Sequence, residues 1–120
     1  MGTLRVNNVK GKLSVHGEIS IYEYQEDGIF YCISPELDII GYDKSAATAR
    51  DSFQVQLQAF FEYASQKNCL DKELLRLGWV GVKPEFVAPS PHELTESNDL
   101  YLELLARASF SKNTTPVAFC

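Results

Sequence analysis

Carboxylates, histidines and cysteines are the side chains of this chain that could do chemistry, and their spacing decides whether they could do it together. Glu18, Glu23, Asp38 and Asp51 are the candidates for a metal-dependent hydrolytic site, which needs several carboxylates converging on divalent cations. Glu18 and Glu23 stand five positions apart in a segment that reads as a strand, so they point to opposite faces. Asp51 falls on the polar side of a helical segment, and no convergent set is expected. His16 and His92 have no Cys or Asp at ligand-like or triad-like proximity in sequence. The three cysteines, Cys32, Cys69 and Cys120, form no C-x-x-C pair and are odd in number, which points to neither a disulfide framework nor a zinc site. Cys32 lies in an apolar run and reads as a small buried hydrophobe. Gly78 and Gly81 are not followed by the Lys-Ser or Lys-Thr of a phosphate loop. Trp79 reads as a core anchor beside Gly78, given how much area an indole buries. The expectation is a chain with no catalytic residues, no metal, no cofactor and no small-molecule substrate.

Composition fits that expectation. The 120 residues are 45% hydrophobic, enough for one domain with a real core. The net charge of −5 argues against a generic phosphate-binding surface, which is built from accumulated Lys and Arg. It suits a basic macromolecular partner. Met1 to Leu13 is too polar for a signal peptide, and no apolar run approaches the roughly 18 residues of a membrane span. A soluble, cytoplasmic protein with no membrane contact is expected.

The elements that must position these residues follow from periodicity. Glu18 to Tyr24 and Ile29 to Ile33 are rich in β-branched and aromatic residues and read as strands. Asp27-Gly28 between them supplies the positive φ angles of a tight hairpin turn. Pro35 breaks the run, and Leu37 to Tyr42 reads as a third strand ended by Gly41 and Asp43. Ser45 to Lys67 reads as a helix capped by Ser45. Ala46, Ala49, Phe53, Leu57, Phe60 and Ala64 form its apolar stripe, with Arg50, Asp51, Gln54, Gln58 and Glu62 opposite. Leu70 to Leu77 continues as a short helix stopped at Gly78. Trp79 to Val82 is a fourth strand, Glu85 to Val87 at most a short edge piece, and Leu94 to Arg107 a second long helix. Ser111 to Pro116 reads as a loop before a short strand at Val117 to Phe119.

The predicted fold class is therefore α+β: a three-stranded antiparallel meander, a helix on one face, a fourth strand, and a C-terminal extension with a second helix (β-β-β-α-β-α). Residues 1–82 would form the core domain and residues 83–120 an extension packed on it or on a partner. Both faces of the meander carry apolar side chains. The second face, with Tyr22, Tyr24 and Phe30 among its candidates, must be covered by the extension or by a partner or second copy.

At Ile33-Ser34-Pro35-Glu36-Leu37-Asp38-Ile39-Ile40-Gly41-Tyr42-Asp43-Lys44-Ser45 the sequence resembles the HicB antitoxin family, over about Ile19 to Ala64. Asp27-Gly28 matches that family's hairpin turn, Phe30-Tyr31 its aromatic strand and Pro35-Glu36-Leu37 its Pro-acid-Leu step. Gly41 matches its glycine, Ser45 its helix cap and Ala49 the alanine of the first helical turn. Asp43, Lys44 and Thr48 stand where the family has Gly, Asp and Glu. The resemblance implies a partial ribonuclease-H-like fold of three antiparallel strands, a helix and a parallel fourth strand. It implies a non-catalytic antitoxin, or an antitoxin-derived protein-binding domain, that covers a small basic HicA-like ribonuclease toxin. The acidic loop Glu36, Asp38 and Asp43, with Tyr42, would be its partner-binding site. Many such proteins also bind operator DNA through a C-terminal module, but Glu85 to Phe119 offers too few helices for one, which argues against DNA binding here. The alternative is a stand-alone structural or oligomerisation module on the same fold. Val55, Ala59 and Tyr63 form a second helical stripe at i, i+4 and i+8, which marks them as dimer contacts of a homodimer.

Overall fold

The computed structural model describes residues 2–9, 12–82, 84–106 and 109–119, so Arg107 and Cys120 lie outside the described residues. The strands β1 (Thr3–Val9), β2 (Lys12–Glu26), β3 (Ile29–Ser34) and β4 (Ile39–Asp43) come first. Then follow α1 (Ala46–Lys67), α2 (Leu70–Arg76), β5 (Val80–Val82), β6 (Glu85–Val87), α3 (Pro91–Ser97), α4 (Asp99–Leu105) and β7 (Ser111–Phe119). The fold class is α+β, and the strands form one sheet in the order β4-β3-β2-β1-β6-β5, with β7 joined to β2.

β2 organises this sheet. Over Val15 to Glu18 it is flanked by β1 and β7, and at Tyr22 and Glu23 by β3 and β7. A strand has two edges, so β1 and β3 follow one another along one edge while β7 runs along the other. Asp27 (φ 53°) and Gly28 (φ 79°) make the left-handed pair that turns β2 into β3 and fixes their register at Glu26 opposite Ile29.

α1 starts where Ser45 accepts a hydrogen bond from the Thr48 amide, and ends at the left-handed Asn68. Its buried residues are Ala49, Phe53, Leu57, Phe61 and Ala64. Phe61 takes the place expected for Phe60, which is only partly buried; a step of four from Leu57 keeps the stripe on the sheet where a step of three turns away. α1 approaches β4 closely at Gly41, where a Cβ would fall on the backbone N and Cα of Phe53. The main core lies beneath α1 and α2 and joins Leu4, Val6, Val15 and Ile19 to Phe53, Phe61, Leu74 and Trp79.

Several sequence expectations change. Thr3–Val9 is a strand, with Leu4 and Val6 buried at the alternate positions. Leu37 belongs to a turn rather than to a strand. Ser111 to Pro116, expected as a loop, is the first part of β7 and pairs residue by residue with Glu18 to Glu23. Among the described strands β7 pairs with β2 alone, and such an edge strand tolerates a proline where the missing N–H would face solvent. The helix expected from Leu94 to Arg107 is two short helices, because Asn98 takes extended backbone angles and caps α4 by accepting from the Tyr101 amide. β5 pairs antiparallel with β6, and every pairing among the described strands is antiparallel. The parallel fourth strand implied by the HicB resemblance is not among them. The chain beyond residue 82 is woven into the sheet through β6 and β7, and Phe86, Ala88, Val117 and Phe119 share the main core.

Candidate functional site

The site is built by the register of three strands. Period two places Tyr22 and Tyr24 on the face of β2 away from α1. Counting back from the Asp27-Gly28 turn sets Tyr24 opposite Tyr31, and the next pairing sets Tyr31 opposite Tyr42. The result is a ladder of tyrosines across β2, β3 and β4. The Tyr24 and Tyr31 rings stack at 4.8 Å and 14°, and Tyr42 lies 6.1 Å from Tyr31. Offset aromatic contacts at such spacing add roughly 0.5–1.5 kcal/mol beyond their burial.

α3 and α4 cover the other part of this face. Leu94, Tyr101 and Leu104 pack on Tyr22 and Ile33 as a second core. Burial there pushes the Tyr22 hydroxyl up to about 12, with nearby Tyr101 and Glu36 adding to the shift. The cover stops short of β4: Tyr42 is 62% exposed and Ile40 45%. Part of the second apolar face is thus closed by the chain itself and part is left open. Phe30, expected on this face, lies on the other and borders a cavity of about 240 Å3 with Ala46, Ala49 and Arg50 of α1. The exposed Glu26 and Asp27 rim the ladder at the hairpin end, whereas the exposed Asp43, opposite Phe30 in the register, ends β4 on the α1 side.

The residues predicted as one partner-binding loop are dispersed. Tyr42 and Asp43 belong to the open end of the sheet. Asp38 sits past the other end of β4, left-handed at φ 57°, beside a groove with Arg76, Ser97 and Asp99. Glu36 is not on the surface at all: it is 3% exposed, in a turn whose backbone is held from two sides. Trp79 Nε1 donates to the Glu36 carbonyl at 2.7 Å, and Asn98 Nδ2 donates to the Pro35 carbonyl at 2.9 Å. The Pro-acid-Leu step is therefore an internal clamp. The reason is chain direction, because Leu37 must reach the core from this turn and draws Glu36 in with it.

Among the described residues Glu36 Oε2 has no hydrogen-bond partner. Burial pushes its carboxyl above the ordinary glutamate range, and Ser20 and the Gly2 amide oppose only part of that shift. The folded chain then holds a proton that the unfolded chain has already released. Stability falls as pH rises from the ordinary glutamate value through the raised one, and stays lower above it. Glu36→Gln is expected to remove this slope, so that it matches wild type below about pH 4 and exceeds it at neutral pH. Urea melts at several pH values measure this; parallel curves for the two proteins would show that Glu36 is not the group responsible.

The candidate carboxylates and histidines are likewise separate. Glu23 is engaged by Arg50 Nε at 2.6 Å and by Asn113 Nδ2 at 3.4 Å. His92 Nε2 lies 3.2 Å from Glu96, and His16 borders a shallow groove with Arg5 and Glu85. Among the described residues no three His, Cys, Asp or Glu side chains gather as a metal site. Cys32 is buried, and that burial pushes its thiol up to about 12. Among the described residues no helix is long and apolar enough to cross a membrane. Val55, Ala59 and Tyr63 lie on the exposed face of α1, with Val55 65% and Tyr63 58% exposed.

Tyr24 and Tyr31 were missed as site residues, although the signal was present: a two-residue Asp-Gly turn fixes the pairing of every residue flanking it. Fold and site together define an α+β domain whose open sheet end is aromatic with an acidic rim. Compared with known protein families, curated proteins and solved structures, the chain matches none.

Proposed function

We propose that this is a non-catalytic protein-binding domain whose working surface is the ladder Tyr24, Tyr31 and Tyr42 with Ile40, and whose partner is a small basic protein. The ladder carries the reading: an exposed Tyr42 beside the half-buried Tyr31 and Tyr24, next to a covered apolar face, has the composition of interface cores, where Tyr is enriched and charge is depleted. Base stacking would use the same rings, but the rim of Glu26 and Asp27 repels phosphate and favours a basic surface. The HicB resemblance supplies a definite form of this reading, an antitoxin covering a HicA-type ribonuclease. The hairpin turn, the Ser45 cap and the Gly41 contact with α1 favour that form, and the antiparallel β5 disfavours it.

Titration of the full chain with a HicA-type ribonuclease tests both levels. Tyr42→Ala should weaken binding by about tenfold or more while leaving the melting temperature unchanged, because Tyr42 is largely exposed. Absence of binding by wild type removes the antitoxin form. Equal binding by wild type and Tyr42→Ala removes the ladder as the working surface.

A further inference from the structure

The solvent face of α1 is unusual for an exposed helix. From Ser52 to Gln66 its exposed residues are Gln54, Val55, Gln56, Gln58, Ala59, Glu62, Tyr63 and Gln66, with Glu62 the one charge. Exposed helices are normally populated by charged residues, and loss of charge is the compositional mark of interface centres. Through this face runs one row of residues four apart: Asp51, Val55, Ala59, Tyr63 and Lys67. All five are exposed, and Asp51 and Lys67 take part in no ion pair among the described residues.

Read outward from Ala59, the row is acid and aliphatic one way, aromatic and base the other. We propose that this face binds a second copy of the chain, with α1 crossing α1 antiparallel on a two-fold axis at Ala59. In that register Val55 meets Tyr63 of the partner, Asp51 meets Lys67 of the partner, and each contact occurs twice by symmetry. The small Ala59 sits where the two backbones come closest. Rows of residues four apart form the ridges of the commonest helix crossing, near −50°, which brings the two rows parallel. Gln56 falls opposite the partner's Glu62, so amide and carboxylate also match. A parallel pairing would set Asp51 on Asp51 and Lys67 on Lys67. Charge complementarity therefore selects both the occupant and its direction. The proposal does not depend on the tyrosine ladder, which faces away from α1 on the other side of the sheet.

A single helix crossing buries less than the roughly 1,200 Å2 of a standard stable interface, so the dimer should dissociate in the micromolar range. Sedimentation equilibrium of the full chain up to about 200 µM reads it. Wild type should be dimeric at the upper end, and Ala59→Glu should be a folded monomer throughout, since it sets two carboxylates at the crossing. D51K should weaken the dimer roughly tenfold at low salt by placing two lysines together at each end, and D51K/K67D should recover most of the loss. The charge cycle decides alone should Ala59→Glu fail to fold. A wild-type monomer at the highest concentration overturns the proposal, as does a dimer that tolerates Ala59→Glu or a double variant as weak as D51K.

Discussion

Gly41→Val should remove about 3 kcal/mol or more of folding stability, and Gly41→Ala somewhat less. The site has no room: any Cβ would land on the N and Cα of Phe53 and lie 2.8 Å from its Cβ. The N and Cα are backbone atoms two turns into α1, so no rotamer change relieves the clash. The helix must lift from β4, and Ala49, Phe53 and Leu57 lose contact with the sheet together. With a total stability of about 5–15 kcal/mol expected for a domain of this size, that loss is a large share. Gly28→Ala provides the control. There a side chain meets nothing within 4 Å, and only the left-handed φ of 79° is strained, a cost of about 1 kcal/mol. Guanidinium melts should rank Gly41→Val well below Gly28→Ala. Equal midpoints would mean that α1 is not in contact with β4 at this point.

That glycine shows what the sequence could and could not convey. Its place in a strand next to a helix cap was legible, but close approach is a distance between elements 12 residues apart in the chain, and no local pattern encodes it. The same division holds along the molecule. Asp27-Gly28, Ser45 and Gly78 act on their immediate neighbours, so the hairpin, the start of α1 and the stop of α2 are where local chemistry puts them. β1 and β7 depend on partners. Thr3–Val9 shows only a brief alternation at Leu4 and Val6 before Asn7-Asn8, and Ser111–Phe119 is mostly polar and interrupted by Pro116, so both are completed as strands by the two edges of β2.

The site divides in the same way. The exposed Tyr42 was legible as a surface residue, and its ladder partners followed from the hairpin register. Glu36 was misplaced because an acid in a Pro-rich step reads as surface by residue type, and burial of an unpaired carboxyl is rare. Its exposure is set by tertiary contacts from Trp79 and Asn98, which lie 43 and 63 positions away from their acceptors.

Trp79→Ala should cost about 3–5 kcal/mol, the range for deleting a large buried aromatic. Trp79 is 1% exposed, and its backbone amide also closes α2 by donating to Leu74 at 2.9 Å after the left-handed Gly78. Trp79→Phe separates volume from hydrogen bonding. It keeps most of the ring in the core but leaves the Glu36 carbonyl without the 2.7 Å donor, a buried acceptor worth about 1–3 kcal/mol. The consequence should reach the outer face, because the same turn receives Asn98, the residue that caps α4. Hydrogen exchange is therefore expected to speed up in α4 amides near Tyr101 and Leu104 in both variants, more than in the middle of α1. Far-UV circular dichroism melts give the stability loss, since Trp79 is the sole tryptophan and its fluorescence disappears with it. A Trp79→Phe protein as stable as wild type, with α4 exchange unchanged, would show that the indole fills space without holding the turn.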